Sequence, residues 1–576
     1  MPIPRSQLAL PLCFAVALLL ACSDTSQSPR TRPEPTGSEE PEGGAFGLVY
    51  ICGNKFVATN ATLSSVHLEY RVVGTRETGG LTLDAGVAGD PGYSEAELET
   101  AQPGVVELYL DDVRVARRRN EALPCGAEAA SPDFAVAASE ATVGKWGAPF
   151  FWPIVAVHLS LLPNGKVLSW GEADQPHVWD PATKASKEVG LATELFCSGH
   201  AFLPDGRLLV TGGHQSDAHG LPDVNLFQQS TATWSAGQKM AKGRWYPTAT
   251  TLANGEVVTL AGTDLDGKVV QVPEVWTGSG WRALTGARRP LQWYPRTFVA
   301  PNGRVFYAGE GRTTAYLSTS LTGSWSNVAD RLNGFREYGA AVMYEPGKVL
   351  YTGGGRTTKT AEIIDLNQAA PVWRWTGSMH YARRHLNATI LPTGEVLVTG
   401  GTAGTIHTDE SRAVFAAELW NPGTGAWTLL ASGSVIRGYH STAILMRDGR
   451  VLVTGSGDSD RATDQRSAEL YSPPYLFKGA RPVISSSLSS LSYGQTFFVG
   501  TAQAATISKV TLVRLGSTTH AFNMNQRFNR LTFTRTAGGL NVKVPTSRNL
   551  APPGHYMLFI LTGSGVPSTG KIIRLR

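Results

Sequence analysis

The feature that most constrains this chain is a short pattern that recurs seven times between Leu161 and Gly457. Each instance has a polar turn with glycine, a charged or polar residue, an apolar strand and usually Gly or Gly-Gly. The runs are LPNGKVLSWG, LPDGRLLVTGG, LANGEVVTLAG, APNGRVFYAG, YEPGKVLYTGG, LPTGEVLVTGG and MRDGRVLVTGS. The turn glycines are Gly165, Gly206, Gly255, Gly303, Gly347, Gly394 and Gly449, spaced 41, 49, 48, 44, 47 and 55 residues apart. Each run reads as a β-hairpin, with Asn-Gly or Asp-Gly supplying most of the turns.

A period near 45 to 50 residues with a later tryptophan, as at Trp234, Trp281, Trp325, Trp375 and Trp427, predicts kelch-type propeller blades, and seven turns predict seven of them. Composition agrees with an all-β chain: 63 Gly, 34 Pro and 14 Trp in 576 residues supply many turns and many aromatic strand positions. Beyond the last repeat, runs such as ISKVTLVRLG, RLTFTRT and HYMLFILTG predict a separate immunoglobulin-like β sandwich over 475–576. The formal charge of +5 is small for this length, and Arg117, Arg118 and Arg119 form the densest basic run, read as a solvated face. That pattern argues against a nucleic-acid grip, and no nucleic-acid partner is expected.

The amino terminus reads as an export signal. Arg5 precedes an apolar stretch from Leu8 to Ala21 that is too short to span a bilayer comfortably and ends in Leu-Leu-Ala-Cys22. This ending resembles a bacterial lipoprotein box. It implies a signal peptide over 1–21, lipid on Cys22 that binds the chain to a membrane, and an exported protein at the outer membrane or cell surface. Residues 22–44 then form a flexible tether, 45–145 a small β domain and 146–474 the propeller. In an oxidising compartment Cys52 and Cys125, at the two ends of the small domain, are expected to pair. Cys197 is left without a partner.

The repeat permits an alignment of the chain against itself. Nine residues upstream of each turn glycine stand Ala156, Cys197, Tyr246, Tyr294, Tyr338, His385 and His440, so six of seven equivalent positions hold Cys, Tyr or His. Inner strands of a propeller converge, so these side chains are expected to approach one another although distant in sequence. Tyr439 adjoins the ring, and Trp245 and Trp293 beside it are candidate pocket walls. A site of phenols and imidazoles with few carboxylates is unlike a Ca²⁺ or Mg²⁺ site and suits Cu(II). No HExxH, G-x-S-x-G, P-loop or dinucleotide fingerprint occurs.

Four local motifs then resemble the galactose oxidase and glyoxal oxidase family of copper-radical oxidases: FCSGH at 196–200, RWYPT at 244–248, GYHST at 438–442 and STTHAFNMNQR at 517–527. The resemblance covers roughly 150–576. It implies a thioether between Cys197 and Tyr246 that carries a tyrosyl radical and accounts for the odd cysteine. It also implies copper held by Tyr246, axial Tyr439, His440 and His520, the last from the C-terminal domain. The implied reaction oxidises a small aldehyde of the glyoxal or methylglyoxal type, or a primary alcohol, with O2 to give H2O2. Hydroxymethyl groups of cell-surface polysaccharide fall in that class. Tyr294, Tyr338 and His385, found by the self-alignment, are expected to line the pocket or support the metal ligands. One departure stands out: where a family tryptophan covers the radical, a gapless extension of the motif reaches Asp264. The competing reading is a non-catalytic propeller that binds surface carbohydrate or protein.

Overall fold

The structure, a computed structural model, describes residues 46–52, 55–60, 65–83, 94–102, 105–119, 139–459 and 462–576. The leader, the tether, Cys22 and Cys125 lie outside them, and with Cys125 the expected pairing to Cys52. The chain forms two compact units, Met1–Asp133 and Phe134–Arg576. In the first, strands Phe46–Cys52, Lys55–Asn60 and Ser94–Glu99 make one antiparallel sheet, and Thr78–Leu83, Val66–Val72, Val105–Leu110 and Val113–Arg119 make another. Phe56, Leu68, Val106 and Leu108 are fully buried and form its core.

In the second unit, described strands form seven antiparallel sheets that follow one another along the chain. Six of them begin at Gly199, Thr248, Thr297, Ala340, Asn387 and Ser441, and the first begins at His158. The turn glycine of every repeat has a positive φ, from 81° at Gly347 to 97° at Gly206, a conformation that costs glycine nothing. The residue before it often closes the turn with its own side chain. Asn164, Asp205, Asn254, Asn302 and Asp448 each accept from the backbone N–H two residues on.

The first two strands of most of these sheets, such as Gly199–Phe202 and Leu208–Thr211, are buried along their whole length, whereas outer strands such as Ser186–Glu188 are exposed. Continuous apolar runs result where sheets cover both faces of a strand. Hydrogen bonds link neighbouring sheets in turn: Thr251 to the Phe202 carbonyl (2.9 Å), Thr250 to Thr297 (2.7 Å), Arg296 to the Gly339 carbonyl (3.0 Å) and Asn387 to Ser441 (3.1 Å). Thr442 then bonds the Ala156 carbonyl at 2.9 Å, from the last sheet back to the start of the first.

Two sheets are completed from a distance. Lys145–Trp146 supplies the outer strand beside Ser467–Ser472 in the seventh. Ser517–Thr519, far along the chain, pairs with the inner strand His158–Leu161 of the first. The remaining C-terminal strands form two sheets packed around Phe497, Leu512, Tyr556 and Ile560, all 3 % exposed or less.

Candidate metal centre

All six polar ring positions share one backbone conformation. Cys197, Tyr246, Tyr294, Tyr338, His385 and His440 have φ of 59°, 61°, 46°, 50°, 58° and 64°, and His520 has 45°. Non-glycine residues rarely enter this left-handed region, at a cost of about 1–3 kcal/mol each where they do. The surroundings hold them there. Backbone bonds run between ring residues of adjacent sheets, from Tyr246 N–H to Cys197 O (2.8 Å), Tyr294 N–H to Tyr246 O (2.9 Å) and His385 N–H to Tyr338 O (2.9 Å).

A second device was not read from the sequence. Arg244, Arg336, Arg383 and Arg437 are buried and pair with Glu274 (2.9 Å), Glu362 (2.9 Å), Glu418 (2.6 Å) and Glu469 (3.2 Å) on the third strand of each sheet. Each guanidinium also donates to a carbonyl just beyond or at the end of the second strand, those of Ala261, Gly353, Gly400 and Gly455. The available signal was an arginine two or three residues before Tyr246, Tyr338, His385 and His440. These bridges tie the segment carrying the ring residue to the sheet behind it.

At the centre, the Tyr246 and Tyr439 hydroxyls lie 2.8 Å apart, and His520 Nε2 lies 2.9 Å from the Tyr246 oxygen. His520 reaches this point because its hairpin joins the inner edge of the first sheet. Its Nδ1 meets Thr519 Oγ1 at 2.6 Å. His440 Nδ1 donates to the Gly457 carbonyl at 2.7 Å, which leaves the lone pair on Nε2, and that buried atom has no partner. Burial holds His440 down to about 3 and pushes His520 well below the usual imidazole range, so both rings are neutral. It also raises the Tyr246 and Tyr439 phenols. Among the described residues no group of three or more His, Cys, Asp or Glu side chains is arranged to hold a metal ion by itself, so the phenols are needed to complete a site. Two phenol oxygens and two imidazole nitrogens, one of them orphaned, fit a Cu(II) ion.

Cys197 is a free, buried thiol within hydrogen-bonding reach of Tyr246. Its N–H donates to His158 Nε2 (3.2 Å), and His158 Nδ1 in turn meets His200 Nε2 (3.1 Å). His158 is fixed from the other side by a parallel stack on Trp170, 4.8 Å between centroids.

Trp245 lies over Tyr246 with ring centroids 3.8 Å apart, and Trp293 stands edge-on to both at 4.8 and 5.5 Å. Asp264, the position reached by extending the motif, is instead buried in a turn where it accepts from the N–H groups of Asp266 and Lys268. A cavity of ≈430 Å³ opens beside the Tyr246 ring. Tyr294, Tyr338 and Trp293 line it with His520. His385 is not among its lining residues: it packs on Tyr338 (4.2 Å) and Tyr439 (5.0 Å), with its own Nε2 buried and unpartnered. Trp245 acts as the cover over Tyr246 and is likewise not part of that wall.

Two family profiles match the second unit: "Glyoxal oxidase N-terminus" over 339–475 and "Galactose oxidase-like, Early set domain" over 481–575. The chain is 29% identical over 488 residues to galactose oxidase of Gibberella zeae, covering 75% of this chain and 71% of the relative. To aldehyde oxidase GLOX of Vitis pseudoreticulata it is 26% identical over 484 residues, covering 73% of this chain and 89% of the relative. A solved structure described as a novel fungal alcohol oxidase of the AA5 family, in complex with copper, superposes with a TM-score of 0.70 at 25% identity. That superposition covers 75% of this chain and all (100%) of the other.

Proposed function

Since the chain belongs with the galactose oxidases and glyoxal oxidases, we propose that its second unit is a copper-radical oxidase acting on alcohols or aldehydes with O2. The observation that carries this is the meeting of Tyr246, Tyr439 and His520 within hydrogen-bonding distance beside the orphaned Nε2 of His440. In this reading Tyr246, Tyr439, His440 and His520 hold the ion. Bound copper supplies a Lewis acid that acidifies a substrate hydroxyl and a one-electron acceptor.

The side chains divide the rest. Tyr439 receives the hydroxyl proton of the substrate, and the Tyr246 oxygen, as a radical, takes the hydrogen atom from carbon. Loss of two protons and two electrons turns an alcohol into an aldehyde, or a hydrated aldehyde into an acid, while O2 becomes H2O2. A thioether from Cys197 to Tyr246 lowers the cost of oxidising the phenol, and the nearness of the thiol to Tyr246 supports it. Trp245 excludes water from one face of that ring, and Thr519 and Gly457 orient the two imidazoles.

The seven consecutive sheets and the hydrogen bond from the last to the first support a seven-bladed kelch-type propeller, and the two C-terminal sheets support an immunoglobulin-like sandwich. An export signal and lipid on Cys22 would hold the enzyme at the bacterial outer membrane or cell surface, within reach of surface polysaccharide. The test is copper loading followed by peroxide release with glyoxal, methylglyoxal and galactose. A protein that stays copper-free and inert after loading would instead be a carbohydrate- or protein-binding propeller.

A further inference from the structure

One wall of the cavity beside Tyr246 has no part in the oxidation itself. Arg296, Glu310, Phe335 and Glu337 line it. Arg296 is committed elsewhere: it pairs with Glu310 at 3.4 Å and donates to the carbonyls of Tyr294 (2.6 Å), Gly339 (3.0 Å) and His520 (3.3 Å). Glu337 is paired with Arg384 at 2.6 Å, and Arg384 also donates to the Thr405 carbonyl at 2.7 Å.

In both pairs the guanidinium is the deeper partner. The Arg296 side chain is 1% exposed against 8% for Glu310, and Arg384 is 3% exposed against 26% for Glu337. An incoming molecule therefore meets carboxylate oxygen, chiefly that of the more exposed Glu337, beside an Arg296 guanidinium already engaged by Glu310 and three carbonyls. Burial, aided by the neighbouring Glu337, pushes Glu310 up to about 7 even though Arg296 opposes it. The charge on Glu337 thus disfavours the charged form of Glu310, and a further negative charge is disfavoured beside Glu337, with the Arg296 and Arg384 guanidiniums already engaged.

We infer that the site selects neutral substrates carrying a second hydroxyl, donated to the Glu337 carboxylate, and rejects substrates carrying a carboxylate. Vicinal diols, sugar hydroxymethyl groups and the hydrated form of a dialdehyde share this chemistry. A hydroxyl bonded to a carboxylate is charge-assisted, and losing such a bond weakens binding roughly 10- to 100-fold. Arg296 positions the wall by tying Tyr294, Gly339 and His520 together, and Glu337 contacts the substrate.

The inference rests on the oxidase reading, so its test separates the two. Oxygen uptake by the copper-loaded full chain is compared for glycerol, propan-1-ol and glycerate, three primary alcohols of equal carbon number. The expected order of kcat/KM is glycerol over propan-1-ol over glycerate, each step about tenfold. Glu337→Gln should erase most of the difference between glycerol and glycerate, and Glu337→Asp should restore it. Ligand-observed NMR on the copper-free protein gives the same comparison without turnover. Glycerate turned over, or bound, as well as glycerol by the unsubstituted protein overturns the inference and leaves the oxidase reading standing. No uptake with these alcohols or with the aldehydes sinks the oxidase reading, and the NMR comparison still decides the inference.

Discussion

The indole of Trp245 lies flat on the phenol of Tyr246, centroids 3.8 Å apart and planes 7° from parallel, although the two residues are consecutive. The left-handed turn at Tyr246 makes this possible, because extended neighbours would point to opposite sides. A stack of this kind contributes about 0.5–1.5 kcal/mol and shuts water from one ring face. Trp245→Leu is therefore expected to shorten the life of the radical proposed for Tyr246 by up to about tenfold, since 1.4 kcal/mol is a factor of ten. Electron paramagnetic resonance after oxidation reads this directly, and an unchanged decay would remove Trp245 from the role of cover.

Burial strongly suppresses the acidity of the Cys197 thiol, which lies within hydrogen-bonding reach of Tyr246, and the proposed thioether between them is expected to form on copper loading. Intact mass should then fall by two hydrogens, with faster migration on a denaturing gel, and Cys197→Ser should abolish both changes. A mass loss that persists in Cys197→Ser would place the modification elsewhere.

Two buried imidazoles carry an orphaned Nε2, His440 and His385, but only His440 adjoins His520, with centroids 4.6 Å apart. Copper content measured after loading and dialysis should collapse in His440→Ala and stay near full in His385→Ala. Thr519→Val, which removes the partner of His520 Nδ1, should lower copper affinity roughly 10- to 100-fold.

His158 and His200 are buried against each other, and burial holds His200 down to about 3 from an ordinary 6.5 and pushes His158 lower as well. Their neutral forms are favoured by folding, so the unfolded chain binds more protons between those two values. The stability they contribute is complete above about 6.5 and drains away as pH falls. Urea midpoints should drop between about pH 8 and about pH 5, and His200→Gln should flatten that dependence. A midpoint that rises on acidification contradicts the assignment.

Arg383 and Glu418 are both fully buried. Arg383→Met removes the guanidinium from a carboxylate that keeps only the His380 ring and the N–H groups of His380 and Tyr381, and should cost about 3–5 kcal/mol in urea unfolding, because a buried charge loses its arginine partner. A cost under about 1 kcal/mol, the range of surface pairs, would show that water reaches Glu418.

Much of the second unit was legible in the sequence because its turns are local. Gly206 or Gly449 needs a left-handed backbone and an Asp just before it, and both requirements are written within three residues. The repeat also revealed the ring of Cys197, Tyr246, Tyr294, Tyr338, His385 and His440, since equivalent places in equivalent hairpins share a conformation. Local sequence does not encode what lies across a gap. The pairing of Ser517–Thr519 with His158–Leu161 brings His520 to Tyr246 from 274 residues away, and only the folded chain brings them into contact. The same holds for the cover: a linear extension of the motif arrived at Asp264, whereas one turn of backbone at Tyr246 folds Trp245 over the ring. It also holds for the arginine–glutamate bridges, whose carboxylates sit two strands away. Periodicity is a property of neighbours along the chain and can be read from it. Which side chains meet at a point depends on sheets closing around that point, and burial then sets their protonation.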